Sequence, residues 1–154
     1  IILPLQEAND KQIEQWKNRK TGLRDERILR DKRVLLCEDH PLNALIAIQL
    51  LQAKEMMVEH ATNGLIGVNM FENSEPGYYD LVLMDIRMPV MNGLEAAAGI
   101  RALDRKDAKT TPIIAMTANA FADDIEASSK AGMNAHLSKP INPQLLYATL
   151  SEWL

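Results

Sequence analysis

The chain is poor in cysteine and in long apolar runs. Of its 154 residues only one is cysteine, which excludes an internal disulfide framework and any all-cysteine zinc site. A single thiol also suits a reducing compartment. No apolar stretch approaches the roughly 18 residues of a membrane span, and the opening residues do not read as a signal peptide. Three histidines are present, and neither His40 nor His60 has partners at metal-ligand spacing, so both read as ordinary surface residues. What is present is an apolar fraction of 47% with 25% charged residues, enough for one packed domain and an appendage.

The formal charge of −4 hides a split. Residues 1–33 carry nine Lys/Arg against six Asp/Glu, a net of +3, while residues 34–154 carry eight against fifteen, a net of −7. The acidic body is a poor candidate for nucleic-acid binding on its own. The first residue is Ile1, so the chain reads as a piece of a longer polypeptide. Ile1-Ile2-Leu3-Pro4-Leu5 has the look of a short strand remnant. From Asn9 to Arg30 the chain is polar, and a coiled-coil seam would place Lys20, Arg27 and Arg30 in a core, with Gly22 interrupting. A partly helical, solvated linker is the expectation there.

From Arg33 onward, short apolar runs alternate with amphipathic stretches. Strands are expected at 34–37, 56–61, 80–84, 112–116 and 135–137, and helices at 41–54, 63–71, 92–103 and 121–131. A last helix starts at Asn142-Pro143 with a stripe at Leu146, Leu150 and Trp153. The third helix takes Asn92 as its cap, and the second turns Leu65, Val68 and Phe71 to one side. This alternation predicts an α/β fold, a doubly wound five-stranded parallel sheet with strands 1, 3 and 4 central. In such sheets the site lies outside the carboxyl ends of the strands.

Glu38 and Asp39 follow the first strand, Asp85 the third, Thr117 the fourth, and Lys139-Pro140 the fifth. Singly, each has a bland reading: Asp39 or Thr117 caps a helix, Asp85 starts a turn, Lys139 is solvated. Together they converge. Carboxylates about 4 Å apart repel by roughly 4 kcal/mol at an effective dielectric near 20, so three acids facing one lysine call for a raised pKa or a divalent cation. All-oxygen ligands suit magnesium. Beside a metal, a carboxylate can attack a phosphoryl group while an ammonium and a hydroxyl hold its oxygens. The residue types point to phosphoryl transfer onto an aspartate.

The runs Val34-Leu35-Leu36-Cys37-Glu38-Asp39-His40, Leu83-Met84-Asp85-Ile86-Arg87-Met88-Pro89-Val90-Met91-Asn92-Gly93, Ala115-Met116-Thr117-Ala118 and Leu137-Ser138-Lys139-Pro140 together resemble the receiver domain of two-component response regulators. The likeness covers residues 33–154. Asn43, Ala61-Thr62-Asn63-Gly64 and Met-Pro-Val-Met-Asn-Gly resemble receivers attached to hybrid sensor histidine kinases, and residues 1–5 are similar to the closing strand of a kinase ATP-binding domain. The resemblance implies a flavodoxin-like sheet of order 2-1-3-4-5. It implies that 1–32 are a linker and the tail of a preceding kinase domain, and 33–154 the receiver.

It further implies that Asp85 takes a phosphoryl group from a phosphohistidine. Asp39 would bind Mg2+ directly, Glu38 directly or through water, and the main-chain carbonyl of Arg87 would complete the protein ligands. Thr117 and Lys139 would hold the phosphoryl oxygens, with a cis Lys139-Pro140 bond. Thr117 and His136 would be the switch pair, His136 standing where an aromatic is usual. Arg87 and Asn119 would tune the lifetime of the phosphoaspartate, Arg87 by shielding it from water. Partners would be a kinase phosphohistidine domain or a histidine phosphotransfer protein. Nucleic acid and membrane contact by this segment are not expected, and the location would be cytoplasmic. Such a domain catalyses only its own phosphorylation and dephosphorylation, whereas the parent chain would be a histidine kinase.

Three alternatives compete. An aspartate-nucleophile phosphatase of the haloacid-dehalogenase kind wants an acid two residues after the nucleophile, where Arg87 stands. A flavodoxin wants a phosphate loop where Glu38-Asp39 stand. A pseudo-receiver, serving only for contacts, would lack an acid that is present here. Cys37 is expected to be buried and inert, and the methionines to pack the core and loops.

Overall fold

The structure, a computed structural model, describes residues 26–118 and 122–154. Of the linker expected over residues 1–32, residues 1–25 lie outside the described residues, as do Asn119 and the Phe121 start of the fourth helix. In chain order the main elements are β1 (Arg33–Cys37), α1 (Pro41–Gln52), β2 (Met57–Ala61), α2 (Gly64–Asn73), β3 (Leu81–Asp85), α3 (Gly93–Arg101), β4 (Ile113–Thr117), α4 (Ala122–Lys130), β5 (Ala135–Ser138) and α5 (Pro143–Trp153). A 3-10 turn, Glu26–Leu29, precedes β1, and one helical turn, Asp107–Thr110, precedes β4.

All pairs are parallel and the strand order is β2-β1-β3-β4-β5, as expected. Near-continuous apolar runs in β1, β3 and β4 are the mark of strands covered on both faces. Their period of two splits the core. Leu35, Cys37, Val82, Met84, Ile113 and Ala115 face one layer with Phe71 and Ile100. Val34, Leu36, Leu81, Leu83, Ile114 and Met116 face the other with Ala47, Leu51, Leu146 and Leu150. Among the described residues no helix is long and apolar enough to cross a membrane.

Several expectations shift. β3 and β4 each end one residue later than read, so Asp85 and Thr117 are the last residues of their strands. Register explains this, because Asp85 pairs with Met116 and Thr117 with Ser138. In α2 the buried positions are Gly64, Gly67 and Phe71, and Leu65 is exposed. The reason is close approach: a Cβ on Gly67 would stand 2.5 Å from Cys37 Sγ, so the glycine side of the helix rides on β1. In α5, Leu146 and Leu150 are buried but Trp153 at the helix end is exposed. α3 stops at Arg101 rather than 103, and Lys109 Nζ donates to the carbonyl of Arg101, its last residue, and to that of Leu103 beyond it.

Candidate functional site

The carboxyl edge of the sheet forms a cleft of about 180 Å³ whose lining includes Glu38, Asp39, Asp85, Arg87, Thr117 and Lys139. Strand parity and strand ends bring them together from four separate stretches of chain. Carboxylate oxygens of Glu38, Asp39 and Asp85 lie within 4.8 Å of one another. Lys139 Nζ bridges two of them, 2.9 Å from Glu38 Oε1 and 3.0 Å from Asp85 Oδ2. Its backbone is placed by donation of its N–H to Thr117 O at 2.8 Å, and Lys139-Pro140 is cis. Glu38 and Asp85 are buried, Thr117 is buried, and Asp39 and Arg87 face solvent.

The electrostatics follow from this crowding. Burial first, and then the Glu38 carboxylate, push Asp85 up to about 6 against the pull of Lys139. Burial works to raise Glu38 too, but hydrogen bonds from Lys139 and the His40 N–H, and from Asp85, hold it below the ordinary carboxylate range. Burial works against the charge on Lys139, yet the two carboxylates raise its pKa. Three acids against one ammonium leave a net negative site of oxygen donors. A hard divalent cation fits that donor set, with the exposed side of Asp39 open for water ligands.

The bland reading of Asp39 does not hold. The N-cap of α1 is His40, with no side-chain bond, so Asp39 caps nothing, and its carboxylate has no partner among the described residues. Asn92, by contrast, does cap α3, in a capping box with Glu95. Cys37 is buried with its thiol pushed up to about 12 by desolvation, hence inert. His136 does not line the cleft. Its ring Nε2 meets the hydroxyl of buried Ser128 on α4.

One expectation is overturned. His60 is no ordinary surface residue: it is half-buried on β2, and its Nε2 lies 2.7 Å from the Glu38 carbonyl oxygen. No spacing in the sequence signals that contact, because it joins residues 22 apart across two strands. Asn43 and Ala118 also line the cleft, and neither carries a local sequence signal of chemistry.

A doubly wound α/β sheet with acids, a hydroxyl and an ammonium at its carboxyl edge defines a class suited to handling phosphoryl groups beside a divalent cation. Within that class, the chain belongs to the response regulator receiver domain family, whose model matches residues 34–151. Hybrid signal transduction histidine kinase I of Dictyostelium discoideum is 34% identical over 122 residues, which is 78% of this chain and 7% of that protein. Sensor protein GacS of Pseudomonas syringae pv. syringae is 34% identical over 125 residues, 80% of this chain and 14% of that protein. The chain thus spans a small fraction of these curated relatives.

Among solved structures, the receiver domain of sensor histidine kinase PA1611 from Pseudomonas aeruginosa PAO1 superposes with a TM-score of 0.72 at 36% identity. That match covers 80% of this chain and 97% of that one, which holds a magnesium ion in its active site cleft. The receiver domain of Ssk1, solved with the histidine phosphotransfer protein Ypd1 of Saccharomyces cerevisiae, gives 0.71 at 28% identity, over 80% of this chain and 89% of that one. The fold and the family of the sequence reading stand.

Proposed function

We propose that Asp85 is the phosphoacceptor of this receiver. The supporting observation is the Asp85 carboxylate at the bottom of the cleft, 3.0 Å from Lys139 and within 4.8 Å of two further acids. In the reaction the P–N bond of a phosphohistidine breaks, its electron pair returning to the imidazole, and a P–O bond forms at Asp85. Ionised Asp85 is the nucleophile. Lys139 has three donors, two engaged by Glu38 and Asp85, and the third can follow a phosphoryl oxygen. Thr117 lies in the same lining to hold another. When bound, Mg2+ offsets the charge of the phosphoryl oxygens and of the acids. Asp39, Asp85 and the Arg87 main-chain carbonyl would hold it. Both Glu38 oxygens already have partners, Lys139 Nζ at 2.9 Å and the His40 N–H at 3.1 Å, which favours a water-mediated role for Glu38.

The donor would be a kinase phosphohistidine domain or a phosphotransfer protein, and the phosphoryl state would be read through Thr117 and His136. The parent would be a cytoplasmically oriented hybrid kinase, with residues 1–32 its linker, whose end docks on the receiver through buried Leu29, and 33–154 the receiver. Support comes from the kinases among the relatives and from the net basic lead-in. A phosphatase reading is not favoured, since the exposed Arg87 stands where its general acid belongs.

The test is incubation with a small phosphodonor and Mg2+, followed by intact-mass analysis of wild type and Asp85→Asn. One phosphate on wild type and none on the variant is the expected result. Phosphate on Asp85→Asn would reject the site, and none on wild type would favour a contact-only pseudo-receiver.

A further inference from the structure

We propose that His60 is a positioning residue for the cation-binding end of the site, an inference that rests on the phosphoacceptor reading above. The regular ladder between β1 and β2 ends at the pair Cys37–Ala61. One residue later, the Glu38 N–H still donates to Ala61 O at 3.0 Å. In a continued parallel ladder the Glu38 carbonyl would then take the N–H of the residue two beyond Ala61, which is Asn63. That rung is not built, because Asn63 turns out of the sheet as the N-cap of α2, its side chain accepting from Ile66 N at 2.8 Å. The His60 imidazole stands in for the missing donor, its Nε2 2.7 Å from the Glu38 oxygen.

This bond has leverage over the acids. The Glu38 carbonyl and the Asp39 N–H share one rigid peptide plane. Holding its oxygen therefore sets the last torsion of Glu38 and the first of Asp39, and with them the direction in which the Asp39 side chain leaves the backbone. The Asp39 carboxylate is exposed and has no side-chain partner among the described residues, so no other side chain fixes its approach and the backbone sets where its Cα–Cβ bond points. Its neighbour Glu38 is, in contrast, pinned at both oxygens. A carbonyl only accepts, so Nε2 carries the proton, and both the neutral Nε2–H ring and the imidazolium make this bond.

The experiment is an NMR titration of Mg2+ into wild type, His60→Leu and His60→Gln, with melting curves of all three in the absence of metal. Loss of a contact made directly to a metal ligand typically weakens metal binding about 10- to 100-fold, and His60 acts one bond further out, so the low end of that range applies. His60→Leu is expected to bind Mg2+ about tenfold more weakly, and His60→Gln, which keeps an N–H donor, to recover most of that loss. Affinities of His60→Leu and wild type within about twofold overturn the proposal, even if melting temperatures fall. So does an equal loss in both variants.

Should His60→Leu not fold, the wild-type ring decides through its imidazole nitrogen shifts. A fixed Nε2–H form whose signal moves on Mg2+ addition is expected; a tautomeric average insensitive to Mg2+ overturns the assignment. Wild type that binds no Mg2+ at millimolar concentration removes the phosphoacceptor reading and this inference with it. Normal binding by wild type with an indifferent His60→Leu removes the inference alone.

Discussion

At the scale of single residues, the site is a compromise between charge and burial. Asp85 has a folded pKa of about 6 against an ordinary 3.8. An acid with a raised folded pKa favours the fold when protonated. Its destabilisation is absent below 3.8, grows as pH rises, and is complete above about 6. Asp85→Asn is therefore expected to stabilise the metal-free protein at pH 7.5, by about 1–3 kcal/mol, with the gain vanishing toward pH 4. Thermal melts at the two pH values check this, and a loss of stability at both would contradict the electrostatic account. Arg87, exposed at the rim, offers a second handle. If its side chain shields the acyl phosphate from water, Arg87→Ala speeds loss of the phosphoryl group, followed by mass over time. An unchanged rate sinks that role. The types and order of Asp39, Asp85, Thr117 and Lys139 were legible in the sequence because strand ends are marked by where apolar runs stop. His60 was not, because a side-chain bond to a main-chain carbonyl on a neighbouring strand leaves no periodic trace.

At the scale of elements, the connection from β3 to α3 is held under tension beside Asp85. Val90 has φ 70°, and the Met91 N–H donates to Pro89 O at 2.7 Å, closing a tight turn of a rare and strained kind. A β-branched side chain in the left-handed region is a conformational outlier. Val90 is 76% exposed, so its packing does not compensate. Val90→Asn, which tolerates that region, is expected to raise stability by about 0.5–1 kcal/mol, read as a melting shift of a few degrees. The strain is imposed from both sides of the turn. Gly64 N–H donates to Met91 O at 3.1 Å and Gly93 N–H to Ile86 O at 2.7 Å. A Cβ at Gly93 would come within 2.1 Å of the Asp85 carbonyl oxygen, so that glycine lets α3 start directly against the Asp85 backbone. The helix start was readable from Asn92 and its partner Glu95; the tension in Val90 was not, since only closure of the loop between two packed elements produces it.

At the scale of the whole molecule, the core reaches back beyond the first strand. Leu29, in the 3-10 turn before β1, is fully buried with Leu146 and Leu150 of α5. Leu29→Ala is expected to cost about 2–4 kcal/mol, measured by denaturant unfolding, whereas a surface position would cost almost nothing. Far from the acids, cations seal the opposite edge. Arg105 donates to the carbonyls of Phe71, Glu72 and Ser74 at the end of α2, and Arg101 to those of Ala108, Thr111 and Gly132. The sequence by itself determined the alternation of strands and helices, the central place of the apolar strands, and the residue types at their ends. Apolar runs and strand ends are local patterns, so a single pass along the chain reads them. Only the tertiary structure decided that Lys139 bridges Glu38 and Asp85, that glycine rather than leucine faces of α2 meet the sheet, and that His60 holds the peptide between Glu38 and Asp39. Those outcomes depend on distances between residues far apart in the chain, and packing sets such distances.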